Sequence, residues 1–299
     1  MQKTIFKTAK PFLKWAGGKT QLLEEIRKSL PENFDQKETF IEPFVGSGAV
    51  LFWMLNKFPN IKKAVINDFN TDLIITYKAI KNDVAKVVTQ LKKWEQEYHQ
   101  FKTDADVRKV YYYEKRALFN SRLEDKVTKA ALFIYLNRTC FNGLYRVNKS
   151  NGFNVPIGSY KTPMICDEEN LYAVSEVLQK VEILNGDFEE TTQHVKGQTF
   201  FYFDPPYKPL SDSSSFNSYA KVGFDDPEQI RLRDYCTKLH NEGHSWLLSN
   251  SDVKGWIEDG DFFDNLYDDY SISRVLARRA INSKSEGRGK LNELLIKNY

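Results

Sequence analysis

Cysteine is nearly missing from this chain: Cys140, Cys166 and Cys236 are the only three among 299 residues, and they lie far apart. A disulfide-stapled fold needs paired thiols and a zinc site needs clustered ones, so free thiols in a reducing compartment are expected, with no metal centre. Long apolar runs are missing too. Thr199 to Phe203 and Ala131 to Leu136, the longest, fall far short of the roughly 20 residues that span a bilayer. The N-terminus alternates lysines with apolar residues and shows no signal-peptide core, so a cytoplasmic protein with no membrane partner is expected. Repeats are absent, and the short serine loop Ser211 to Ser215 is the only biased tract. The length leaves room for one large domain or two of ordinary size.

Acids are missing from particular places. The net charge is only +3, yet Met1 to Leu23 holds five lysines and no acid, and Lys126 to Cys166 holds six basic residues and no acid. Arg274 to Lys290 holds six more against the single Glu286. Any one run reads as a solvated face; three that converge would make the polyanion-binding surface of a nucleic-acid protein.

What is present divides into three blocks. Thr39 to Phe44 is a β-branched and aromatic strand ending in a glycine turn, Ala49 to Phe58 a helix, and Ala64 to Ile66 a second buried strand closing at Asn67 and Asp68. Strand, helix, strand begins a parallel α/β sheet. From Thr71 to Lys180 the chain has helical spacing instead, over Val84 to Tyr98, Val107 to Phe119 and Val127 to Leu136. This block ends in a hairpin, Leu144 to Val147 pairing with Phe153 to Val155 around Asn151-Gly152. Strands return at Val181 to Leu184, Thr199 to Phe203 and Trp246 to Leu248, with a helix over Pro227 to Leu239. A helical insert, residues 71–180, therefore interrupts one α/β domain formed by 1–70 and 181–299.

Glu42-Pro43-Phe44-Val45-Gly46-Ser47-Gly48 ends the first strand and opens a helix, where glycines let a ligand lie against the backbone. Leu51 stands where a dinucleotide fingerprint needs its third glycine, and Leu13 where a phosphate loop before Gly18-Lys19 needs its first. Pyrophosphate and ATP sites are thereby disfavoured. Asp68, about 20 residues past the glycine loop, either takes the ribose hydroxyls of a nucleoside or caps the helix from Thr71. Asp187, ending the strand Val181 to Leu184, offers an acceptor for an adenine amine or a second cap. Glu42 faces a ligand's amino group or closes the sheet.

Asp204-Pro205-Pro206-Tyr207 follows the strand Thr199 to Phe203. The prolines fix φ and remove donors, leaving a carboxylate and carbonyls as acceptors beside one aromatic ring. Such a group suits a planar base with an exocyclic amine: Asp204 and the Pro205 carbonyl accept its two N–H bonds while Tyr207 stacks on the ring. A duplex base must be flipped out to reach it. In the acid-free insert, Arg146 can bond guanine O6 and N7 together, or hold a phosphate, and Leu144 can touch a thymine methyl. Asn142 and Phe141 are placed to fill the gap left by a flipped base, or Phe141 to be core.

With these residues assembled, the chain resembles the Dam family of DNA adenine N6-methyltransferases, particularly restriction-modification members of the DpnM type. The likeness runs over nearly the whole length, through FLKWAGGK from Phe12, EPFVGSG from Glu42, INDFN from Ile66, FNGLYRVN from Phe141, FNVPIGSYK from Phe153, GDFE from Gly186, YFDPPYKPLS from Tyr202 and LSNSD from Leu248. The resemblance implies a Rossmann-like sheet binding S-adenosylmethionine through Phe44, Gly46, Gly48, Asp68, Asp187 and Phe188, bordered by Trp15, Ala16, Gly17, Lys19 and Glu42. It implies that Lys14, Asn142, Leu144, Arg146, Asn148, Lys149 and Pro156 approach double-stranded DNA, and that GATC is the target. A monomer is expected. Cytosine N4, an RNA or protein amine, and a DNA-binding module with a vestigial site remain as alternatives from the residues themselves.

Overall fold

The computed structural model describes residues 8–15, 17–208, 224–257, 259–278 and 290–299. Along these, seven strands run as β1 (Thr39–Glu42), β2 (Lys63–Ile66), β3 (Val181–Ile183), β4 (Thr199–Phe203), β5 (Ser245–Ser251), β6 (Ser271–Arg278) and β7 (Lys290–Lys297). The α-helices are α1 (Leu23–Lys28), α2 (Ala49–Lys57), α3 (Thr71–Gln100), α4 (Ala105–Ser121), α5 (Lys126–Thr139), α6 (Glu168–Leu178), α7 (Asp226–Asn241) and α8 (Phe262–Leu266). No described helix is long and apolar enough to cross a membrane. The chain folds as two compact units. One gathers the described residues up to Gly18 with Gly46–Lys57 and Asp68–Gly186, and the other Lys19–Val45, Phe58–Asn67 and the described residues from Asp187 onward.

Six of the strands belong to the second unit, in the order β2-β1-β4-β5-β7-β6. β2, β1, β4 and β5 are parallel, with Ile41 opposite Val65 and Phe201, and Phe203 opposite Leu248. All four residues of β1 and all five of β4 are buried, as in strands covered on both faces, with Thr39, Glu42 and Thr199 the polar members. β7 turns antiparallel against β5, pairing Glu293 with Ser251, and β6 completes the edge against β7. This antiparallel pair is invisible in the sequence reading because Arg274 on β6, with Lys290 and Lys297 at the two ends of β7, makes the segments look like solvated basic chain. β6 is the edge strand, and a charge such as Arg274 discourages further pairing there.

The first unit is mainly helical. α3 begins earlier than its apolar spacing suggests, at Thr71, and kinks at Asp83 (φ −136°), which is why the periodic pattern starts only at Val84. α5 is buried along most of its length, through Ala130 to Asn137. The expected hairpin forms only as isolated bridges, Val147 with Phe153 and Cys140 with Ile157, rather than as two strands. Asn148 Oδ1 closes its tip by accepting the N–H groups of Ser150 (3.0 Å) and Gly152 (2.9 Å), a side-chain turn that replaces ladder bonds. Ala16, the Ser211–Ser215 loop and most of the third basic stretch lie outside the described residues. Of the six basic residues between 126 and 166, Lys129 pairs with Asp72 at 3.0 Å and Arg138 donates to the Phe12 carbonyl at 2.8 Å. That leaves four, Lys126, Arg146, Lys149 and Lys161, exposed.

Candidate active site

Within the second unit, β4 delivers Asp204 at its carboxyl end and the neighbouring strands supply its partners. Lys19 Nζ lies 3.0 Å from Asp204 Oδ1, and Ser249 Oγ, on β5, donates to the same oxygen at 3.1 Å. Tyr202 and Ser249 share a further hydrogen bond at 2.9 Å. Glu293, on β7, stands 3.6 Å from Lys19 Nζ and accepts the Tyr207 hydroxyl at 2.7 Å, while Lys19 Nζ sits 4.3 Å from the centre of the Tyr207 ring. One nearly buried cation (5% exposed) thus spans two carboxylates and an aromatic face.

The electrostatics follow from this crowding. Desolvation pushes the Asp204 carboxyl above the ordinary carboxylate range; Lys19 pulls it down and Glu293 adds to the rise. Desolvation, with Asp204 and Glu293 beside it, lifts the Tyr207 phenol well above its usual value, so it remains a donor. The Pro206 carbonyl is taken by Gln229 Nε2 at 3.1 Å, and Gln229 is held in turn by Asn250 at 3.2 Å. Pro205 is buried and, among the described residues, its carbonyl receives no hydrogen bond. Asp204, Pro205 and Tyr207 thus lie within four consecutive residues at the end of β4, with Lys19 bridging the Asp204 carboxylate and the Tyr207 ring.

Asp187 lies in the same unit and does cap a helix: its side chain accepts from Glu189 N and Glu190 completes a capping box. Arg231 grips the carboxylate with two bonds, 3.0 and 2.6 Å, and this ion pair keeps it below the usual range. Phe188, beneath the Arg231 guanidinium at 4.1 Å, packs on Phe44 with ring centres 5.5 Å apart. Glu42 is 2% exposed at the end of β1, where its carbonyl accepts Asn67 N–H at 3.1 Å.

In the first unit, Gly46 and Gly48 both adopt left-handed backbone (φ +48° and +74°). A Cβ on Gly46 would lie 3.1 Å from Trp15 Nε1, and one on Gly48 only 2.6 Å from the Tyr77 hydroxyl, so only glycine allows the turn. The Gly46 carbonyl accepts that hydroxyl at 3.0 Å. Asp68 does not cap α3; Asn70 does, accepting from Leu73 N. Asp68 instead receives Gly46 N–H at 3.0 Å and Asn70 N–H at 2.8 Å, while desolvation raises its carboxyl against both bonds. Gly17 is left-handed with open space around its Cα, and Trp15 stacks on Tyr145 at 5.7 Å.

The same unit carries the other predicted contacts. Lys14 lies with its stem against Gly143 and its Nζ 4.2 Å over Tyr160, its backbone locked to Asn137 Oδ1 at 2.8 Å. Asn142 is exposed and left-handed (φ 54°), Leu144 half-buried, and Pro156 exposed with its carbonyl holding Phe141 N–H at 2.9 Å. Phe141 is 47% exposed and so is not core. Exposed Arg146 is aimed by Asn154, which accepts from Nε at 2.7 Å. Asn148 and Lys149 form the exposed tip. Glu293, Arg231, Gln229 and Asp72 escape the sequence reading; Ser249 and Asn250 stand inside LSNSD, the one local signal for any of this second set.

Comparison with known sequences gives the family. Residues 15–281 match the D12 class N6 adenine-specific DNA methyltransferase family. Type II methyltransferase M.MjaIII of Methanocaldococcus jannaschii is 48% identical over 295 residues, covering 97% of this chain and 99% of the relative. Type II methyltransferase M1.LlaDCHI of Lactococcus lactis subsp. cremoris is 39% identical over 97% of this chain and 95% of its own length. A DNA adenine methylase of Vibrio cholerae is 36% identical over 97% and 96%. With a match across most of its length and relatives aligned end to end, the chain belongs to the D12 class N6 adenine-specific DNA methyltransferases.

Proposed function

We propose that this enzyme transfers the methyl of S-adenosylmethionine to N6 of an adenine flipped out of GATC in double-stranded DNA, with residues 71–180 reading the target. The observation that carries the reading is the Asp204 carboxylate, fixed by Lys19 and Ser249 at the end of β4, with Lys19 also over the Tyr207 ring and Pro205 next in the chain. Asp204 and Pro205 accept the two N6–H bonds, which turns the nitrogen lone pair out of conjugation with the ring and frees it for in-line attack. Tyr207 carries the base by stacking, its ring held by the bond to Glu293.

S-adenosylmethionine, when bound, supplies a methyl made electrophilic by its sulfonium sulfur. The residues fit an adenosine-bearing donor in chemistry: Asp68 is a desolvated acceptor that takes the Gly46 N–H at the edge of a turn only glycine allows. Asp68 would take the ribose hydroxyls of such a donor. With the methyl so supplied, the hydrogen bond to Asp204 would carry away the proton that N6 loses on methylation. The raised proton affinity of that carboxyl favours this exit.

Asp68→Ala should weaken S-adenosylhomocysteine about tenfold, the value of one charge-assisted hydrogen bond. Calorimetric titration checks it; an unchanged affinity would remove Asp68 from the cofactor site. The charge beside Asp204 gives a pH test. Because catalysis needs the ionised carboxylate, kcat falls as pH drops through the raised Asp204 value. Glu293→Gln deletes a negative charge that raises it, so the acid limb of kcat should move to lower pH. A limb that stays in place, or moves upward, would show that Glu293 does not act on Asp204. Target choice is read by kcat/KM on duplexes holding GATC and each single-base variant; equal rates on all would defeat the GATC reading.

A further inference from the structure

Asp72 is 5% exposed and stands near the start of α3. Three donors converge on it. Arg122 Nη1 reaches both of its oxygens at 2.7 Å, Lys129 Nζ lies at 3.0 Å, and the Tyr145 hydroxyl donates at 3.1 Å. Two of these partners have a second engagement. Arg122 Nη2 donates to the Asn151 carbonyl at 2.5 Å, in the turn that presents Asn148 and Lys149. Arg122 holds this post in left-handed backbone (φ 62°), a conformation costly for a side-chain-bearing residue and kept only where its surroundings fix it. The Tyr145 ring stacks on Trp15 with 22° between planes, and Trp15 is the wall that touches Gly46.

Resting on the function proposed above, we propose that Asp72 is a positioning residue for sequence reading: one buried carboxylate sets the recognition turn through Arg122 and the tryptophan wall of the glycine loop through Tyr145. Tyr145 immediately precedes Arg146 in the chain, so the hydroxyl that Asp72 holds fixes the backbone from which that guanidinium projects. A buried carboxylate with two cations and a phenol is well defined in geometry, and removing a single bond loosens the remaining ones without emptying the site.

The test uses Tyr145→Phe, which keeps the ring stacked on Trp15 and cuts only the hydroxyl bond, with Asp72→Asn and Arg122→Lys beside it. In the full enzyme, all three should lower the preference for GATC over single-base variants about fivefold to tenfold, while kcat at saturating GATC duplex stays within about twofold. Amide hydrogen exchange across 144–154, measured without DNA, should quicken about fivefold in Tyr145→Phe at an unchanged Tm. Retained discrimination in Tyr145→Phe, or unaltered exchange, would reduce the cluster to a structural ion pair and overturn the proposal. A wild-type enzyme that prefers no duplex would instead defeat the GATC reading, and the exchange data alone would then decide the role of Asp72.

Discussion

Asp204→Ala should lower kcat on GATC duplex by about a thousandfold or more and leave S-adenosylhomocysteine affinity within about threefold. Removing one preorganised group aimed at a transition state costs about 10² to 10³ in rate, and here the variant also releases Lys19 to Glu293, 3.6 Å away in the native arrangement. The carboxylate meets the amine of the base, not the bulk of the cofactor, which is why binding survives. Asp204→Asn, which keeps an oxygen acceptor and loses the charge, should fall between the two. Single-turnover rates with excess enzyme check this free of product release. Near-native turnover in Asp204→Ala would mean that the amine is oriented by some other group.

Arg146→Ala should collapse discrimination at one base pair. A bidentate contact to guanine is worth roughly 1 to 3 kcal/mol against a wrong base, so GATC should lose that much while duplexes already altered at the pair lose little. Asn154 aims the guanidinium, its Oδ1 accepting from Nε at 2.7 Å and its backbone carbonyl more loosely from Nη2 at 3.4 Å, a long bond that a guanine edge would have to displace. Lys149→Ala, at the exposed tip of the turn, should weaken every duplex alike and reduce the salt slope by about one ion. Both variants are measured as kcat/KM on all single-base duplexes at two salt concentrations. Even loss across all sequences in Arg146→Ala would make the arginine a phosphate clamp.

The parts of the fold that were legible in the sequence are those where burial imposes a pattern. β1 and β4 are buried throughout because both faces are covered, which fills their centres with Phe40, Ile41 and Phe200 to Phe203, and the motifs at their ends sit at the carboxyl edge of a parallel sheet. The antiparallel β6–β7 pair was not legible, since an edge strand keeps its charges, and Glu293 went unseen with it. Asp68 could be read two ways because ribose contact and helix capping ask for the same residue at the same place; Asn70 takes the cap and leaves Asp68 to the loop. At Asp187 the cap is real and Arg231 is the partner that spacing could not supply, being 44 residues away. Acceptors on a proline turn suit either adenine or cytosine, and family membership closes that choice to adenine.

The most direct measurement incubates the enzyme with S-adenosylmethionine labelled in its methyl group and a duplex holding one GATC, then digests the DNA to nucleosides and locates the label. All of it should appear as N6-methyldeoxyadenosine from the adenine of GATC on either strand, and about a thousandth of it or less in the same time with Asp204→Ala. Label on cytosine, on adenines regardless of sequence, or at a near-native rate with the Asp204 variant would contradict the assignment of this site.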